Sequence, residues 1–137
     1  VTIHVPAMPE THHLLNKENV KRLKRGAVLI NTARGDVIDP QALIYALDEG
    51  IISAAGLDVL EGEHEIKDEA ELTLDGNTKL EKIKLLLADH ILMDYKNVII
   101  TPHIAFNTAE ARQEITTQTL ANISQFEAGT PQNVIKA

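Results

Sequence analysis

Apolar and polar residues alternate along Val1-Thr2-Ile3-His4-Val5 and the alternation stops at Pro6, which predicts a strand running into a loop. Asn16 is placed to cap a helix over residues 17–24, with Val20 and Leu23 inward and Gly26 closing it. The unbroken run Ala27-Val28-Leu29-Ile30 suits a strand covered by helices on both faces. Asp39 as N-cap, Pro40 as first helical residue and Gly50 past the end frame a helix that buries Leu43, Ile44 and Leu47. Residues 53–59 read as another buried strand, 79–89 as a helix, and Val98-Ile99-Ile100-Thr101 as a fourth strand. A last helix is expected from Asn107, with Glu110 placed for a capping box and Ile115, Leu120, Ile123 and Phe126 on one broad face until Gly129.

Strands alternating with helices of this length predict an α/β fold with a parallel sheet and right-handed crossovers. Four strands are too few for a complete doubly wound domain. In such sheets ligands bind beyond the carboxyl ends of the strands, which draws attention to residues 31–36, 58–63 and 101–106.

With 44% hydrophobic and 24% charged residues, the 137-residue chain has the composition of one globular unit. A net charge of -7 argues against a nucleic-acid surface or an anionic membrane, since both need clustered Lys and Arg. Nearly all of that charge lies in residues 61–75, where Glu61, Glu63, Glu65, Asp68, Glu69, Glu71 and Asp75 face only Lys67. The absence of cysteine excludes disulfides and thiolate zinc sites, and no run approaches the roughly 18 apolar residues of a membrane span. A cytoplasmic setting is the expectation. The chain opens at Val1 inside a predicted strand, without an initiator Met, and so reads as a fragment.

Candidate chemistry follows the strands. Arg34 comes after the second, in Asn31-Thr32-Ala33-Arg34-Gly35-Asp36, where Gly35 permits a tight turn beside a guanidinium whose fork of donors can grip a carboxylate. Glu63 follows the third strand and His103 the fourth. A carboxylate bonded to one imidazole nitrogen orients the ring and favours its protonated form, leaving the other N–H to serve as a general acid. Any one of these residues alone in a loop is ordinarily solvated; their joint position on one sheet edge is what points to a site. His12-His13 raises a metal site, but no further ligand stands at a metal-binding spacing, so none is expected. His64 and His90 read as solvated, and His4 either faces a ligand at its strand end or is a satisfied structural histidine. The acidic stretch lacks the regular spacing of a calcium loop.

The segments His4-Val5-Pro6 with Glu10-Thr11-His12-His13-Leu14, then 26–35, then Gly56-Leu57-Asp58-Val59, then Thr101-Pro102-His103, resemble in order and spacing the D-isomer-specific 2-hydroxyacid dehydrogenase family. The resemblance covers the chain except about residues 64–96. It implies the C-terminal half of a Rossmann-type doubly wound parallel sheet, the last part of an NAD-binding domain. It further implies that Arg34 binds the substrate carboxylate, that His103 donates a proton and that Glu63 holds His103. Val5 and Pro6 would line the adenosine side of the cofactor groove, Thr11 would lie near it, Thr32, Ala33 and Arg34 would approach the nicotinamide end, and Asp58 would bond the carboxamide. The run Asp58-Val59-Leu60-Glu61-Gly62-Glu63 resembles the D-lactate and D-2-hydroxyisocaproate branch, with Glu63 rather than Glu61 at the catalytic position. Phe106 is either pocket wall or core aromatic.

The family's activity would be reduction of a pyruvate-like 2-oxo acid to the D-2-hydroxy acid with NAD as cofactor, in a homodimeric parent protein. The chain departs from the family in two ways. It lacks the Gly-x-Gly-x-x-Gly turn and the acidic residue that follows it, so the phosphate-binding half and the substrate domain are expected outside it. Residues 61–96 form a longer, acidic insertion without the family's proline-rich continuation. A non-enzymatic assembly module is the competing reading, because corepressors share this fold; Arg34, Glu63 and His103 together favour the enzyme.

Overall fold

The computed structural model describes residues 1–62 and 76–135, the side chains of 76–79 excepted. Glu63, His64 and most of the acidic stretch therefore lie outside the described residues. Four strands, β1 (Thr2–Ile3), β2 (Ala27–Asn31), β3 (Ile52–Leu57) and β4 (Val98–Ile100), alternate with helices α1 (Pro40–Asp48) and α2 (Gly76–Asp94), and α3 (Ala109–Glu127) follows. The chain divides into two compact units, Val1–His103 and Ile104–Ala137.

All strand pairs in the first unit are parallel, in the order β1-β2-β3-β4. Thr2 pairs with Ile30, Leu29 with Ala55 and Leu57 with Ile100, which brings the carboxyl ends of the strands to one edge. One sheet face carries the core: Ile3, Leu29, Ile52, Ala55 and Leu57 pack with Leu43, Ala46 and Leu47 of α1 and Leu92 of α2. Burying each leucine or isoleucine there is worth roughly 1.5–3 kcal/mol relative to leaving it in water. The expectation that β2 is covered on both faces is corrected by its alternating burial. Val28 is 49% exposed and Ile30 and Ile99 are exposed with it, because α1 and α2 both pack on the opposite face.

Helix α1 forms as its sequence dictates. The Asp39 carboxylate accepts from the backbone N–H groups of Gln41 (2.9 Å) and Ala42 (3.3 Å), satisfying donors that the first turn leaves without partners. Pro40 supplies a preset φ at the first position, and Gly50, at φ 64°, turns the chain out in a region that costs a side chain strain.

The helix expected over 17–24 is instead a single 3-10 turn, Val20–Arg22. Asn16 Oδ1 accepts from the N–H of Glu18 and Asn19, while Asn19 Oδ1 accepts from the N–H of Asn16 and its amide donates to the Leu14 carbonyl. These local bonds offer the backbone an alternative to a helical ladder. Val20 is nevertheless fully buried, as its apolar position requires. Strand β1 is also shorter than the five residues its alternation suggested.

In the second unit the N-cap of α3 is Thr108, whose hydroxyl accepts from Ala111 N–H at 3.1 Å, rather than a start at Asn107. Asn107 is used in a turn, its N–H bonded to the Ile104 carbonyl. Ile115, Leu120, Ile123 and Phe126 are exposed, as is Phe106, which is therefore no core aromatic.

Candidate active site

Backbone bonds tie the three strand ends into one edge. Asp58 N–H donates to the Asn31 carbonyl at 2.9 Å, and His103 N–H donates to the Asp58 carbonyl at 3.0 Å. The turn carrying Arg34, the residue after β3 and the histidine after β4 thus sit in succession along the carboxyl edge. Glu63, the remaining member of the expected set, falls among the undescribed residues.

The Arg34 turn is braced from below by a residue that the sequence reading passed over. Asn31 is 1% exposed; its side-chain oxygen accepts from Ala33 N–H at 3.0 Å and its amide donates to the Arg34 carbonyl at 2.8 Å. A buried amide bonded at both its oxygen and its nitrogen fixes a turn, because its polar groups have no water to exchange for those partners. The available signal was an asparagine ending an otherwise apolar strand. Arg34 itself is exposed, with Nη1 donating to the Ala33 carbonyl at 2.7 Å.

Gly35 matters for a reason other than the tight turn expected of it. Its φ is not in the left-handed region, but a Cβ there would lie 2.1 Å from the Leu60 carbonyl carbon and 2.4 Å from Glu61 N. The absent side chain lets the Arg34 turn lie directly on the loop that follows β3. That loop also carries Asp58, which is buried and accepts a hydrogen bond from the Thr101 hydroxyl.

His103 is half-buried and has φ 56°, a left-handed conformation uncommon outside glycine. Its N–H is shared between the Asp58 and Thr101 carbonyls. Strained backbone of this kind persists only where its surroundings over-determine it.

Beside the edge, His4, Val5, Pro6, Ala7, Thr32, Ala33 and Arg34 line a cleft of about 500 Å³. Its walls mix the apolar Val5, Pro6, Ala7 and Ala33 with the polar His4, Thr32 and Arg34, a combination suited to a flat ring system carrying polar substituents. Thr11 stands off this wall and braces the loop, its hydroxyl donating to the Pro6 carbonyl at 2.6 Å. His4 is exposed, with Nε2 2.7 Å from the Thr2 hydroxyl. The residues present fit the ring-binding portions of a dinucleotide. The sequence contains no glycine-rich turn to cradle its phosphates. His90 is exposed, as expected.

His12 and His13 do acquire a third neighbour that sequence spacing could not show. Their rings stack with centroids 4.0 Å apart, and Glu61, 48 residues from His13, reaches both.

Residues 1–105 match the family model described as D-isomer specific 2-hydroxyacid dehydrogenase, NAD binding domain. The whole chain is 40% identical to a glycerate dehydrogenase of Methylorubrum extorquens, of which it covers 38%. Among solved structures it resembles a D-lactate dehydrogenase from Treponema pallidum, at TM-score 0.75 and 34% identity over 99% of this chain and 39% of that one. It also resembles the D-lactate dehydrogenase from Aquifex aeolicus complexed with NAD and lactic acid, at TM-score 0.74 and 38% identity over 94% of this chain and 37% of that one. The chain therefore spans well under half the length of the relatives it matches, and the stretch it matches in them includes the parallel sheet and the edge built around Arg34, Asp58 and His103. It belongs to the D-isomer specific 2-hydroxyacid dehydrogenases, within their NAD-binding domain.

Proposed function

We propose that the protein containing this chain reduces a small, pyruvate-like 2-oxo acid to the D-2-hydroxy acid with NADH, and that Arg34 and His103 do the chemistry at the strand edge. The observation that supports this reading is the pair of backbone bonds, Asp58 to Asn31 and His103 to Asp58, which bring the segments carrying Arg34 and His103 to one edge of the sheet, with Arg34 also lining the neighbouring cleft.

A reduced nicotinamide bound there would supply the hydride for the substrate carbonyl carbon. Arg34 grips the substrate carboxylate with two parallel N–H donors and polarises the adjacent carbonyl. His103 delivers the proton to the carbonyl oxygen as that oxygen gains charge, so one hydride and one proton complete the alcohol. Glu63 orients the His103 ring. Val5, Pro6, Thr32 and Ala33 flank the cofactor, Thr11 shapes the loop beside it, and the buried Asp58 is the acceptor for its carboxamide.

The test is consumption of NADH by the full-length protein with a series of 2-oxo acids, with the chirality of the product determined. The expected result is a D-2-hydroxy acid. Arg34→Lys should raise KM for the 2-oxo acid by about tenfold or more, since an ammonium forfeits one of the two parallel bonds. Formation of the L product, or an unchanged KM in Arg34→Lys, would remove this assignment.

A further inference from the structure

Neighbouring side chains ordinarily diverge, yet His12 and His13 point the same way. The cause is local: His13 has φ 47°, a left-handed turn that folds its ring over that of its predecessor, with centroids 4.0 Å apart and 27° between planes. Strain of this kind in a non-glycine residue is informative when something nearby uses the result. Here that is the Glu61 carboxylate, whose oxygens lie 3.0 Å from His13 Nε2 and 3.6 Å from His12 Nε2.

Both sides of the cluster are held in place. His13 N–H donates to the Asp36 carbonyl at 2.8 Å, and Leu15 pairs with Ile38, which fastens the histidine segment to the loop beyond Arg34. The same loop, through Gly35, packs on the backbone of Leu60 and Glu61. The Glu61 side chain is only 18% exposed, whereas His12 is 53% exposed, so the cluster is anchored inside and open outside.

One carboxylate faces two imidazoles: it lies within hydrogen-bond distance of His13 Nε2, whereas His12 Nε2, at 3.6 Å, falls outside that range. A metal ion would engage all three side chains at once, because neutral imidazoles and a carboxylate all present lone pairs to it. One donor atom from each residue can be chosen so that all lie within 4.8 Å of one another. Bonds of about 2.0–2.2 Å around a tetrahedron separate neighbouring donors by about 3.4 Å, which falls between the two observed imidazole–carboxylate distances.

We propose that His12, His13 and Glu61 form a binding site for a divalent transition-metal ion of the zinc type, separate from the reaction assigned to Arg34 and His103. Two imidazoles and one carboxylate hold the ion, and solvent completes its coordination on the exposed side. The His12 ring turns its edge inward to bind, which its exposure permits. Binding weakens on acidification, because protons compete for the imidazole nitrogens.

The test is calorimetric titration of the metal-stripped full-length protein with Zn²⁺ at neutral pH, with Co²⁺ absorption as an independent report of nitrogen ligation. One ion per chain is expected to bind saturably. His12→Ala and Glu61→Gln should each weaken binding at least about tenfold, the lower bound for disturbing even a supporting partner of a metal ligand. His12 is exposed, so His12→Ala leaves the fold intact by circular dichroism and its result stands even if Glu61→Gln proves unstable. Substituting Glu69 and Glu71 by Gln, in the acidic stretch, should leave the affinity unchanged. Absence of saturable binding overturns the proposal. So does binding that survives His12→Ala, or binding that is lost on neutralising Glu69 and Glu71.

Discussion

Two small features of the Arg34 turn, the buried amide of Asn31 below it and the missing side chain of Gly35 beside it, set where the guanidinium stands. Gly35→Ala should therefore act on both stability and substrate binding. A Cβ placed 2.1 Å from the Leu60 carbonyl carbon forces the turn and the loop after β3 apart, with an overpacking cost of about 1–3 kcal/mol. The urea midpoint should fall accordingly, and KM for the 2-oxo acid should rise in the full-length protein. An unchanged midpoint and KM would show that the two loops do not depend on this approach. The positions of Arg34 and His103 at the carboxyl edge were legible in the sequence because each follows an apolar run that forms a strand. The bracing role of Asn31 was not, since its one signal, an asparagine ending an apolar strand, fits a residue facing water equally well.

At the scale of elements, Tyr95, in the link between α2 and β4, donates its hydroxyl to Asp48 Oδ1 at the end of α1, at 2.5 Å. That hydrogen bond, then burial, then the charge of Asp48 push the phenol from its ordinary value of 10.0 up to about 12. Raising the pKa of a group that is neutral when protonated means the fold favours the protonated form. Its contribution is intact below about pH 10 and lost as pH rises through about 12. Tyr95→Phe should cost about 1 kcal/mol at neutral pH, and between pH 10 and 12 its stability should decline less than that of the unsubstituted protein. Parallel denaturation curves across that window check this; identical pH dependences would contradict it. Helix α1 was readable because its cap, its proline and its closing glycine agree. The segment 17–24 was misread because periodicity does not report the asparagine bonds that compete with a helix. The cap of α3 moved by one residue for a related reason, the turn that takes up Asn107 N–H.

Across the whole molecule, the order of strands and loops carried the family's identity, since four separated motifs fall at the carboxyl edge of one parallel sheet. What sequence alone could not supply was proximity between distant loops, of which Glu61 meeting His12 and His13 is the clearest instance. Dinucleotide affinity in this fold rests on backbone N–H groups at a glycine turn and helix N-terminus that this sequence does not contain. Calorimetry of the 137-residue chain alone should accordingly give little heat with NADH; micromolar binding would show that the phosphates are held in another way. The division of labour at the strand edge is tested most directly by turnover of full-length His103→Ala, with NADH binding measured on the same preparation. If His103 is the proton donor, kcat should fall by at least about a hundredfold while NADH binds as before. Turnover at the unsubstituted rate would contradict the account.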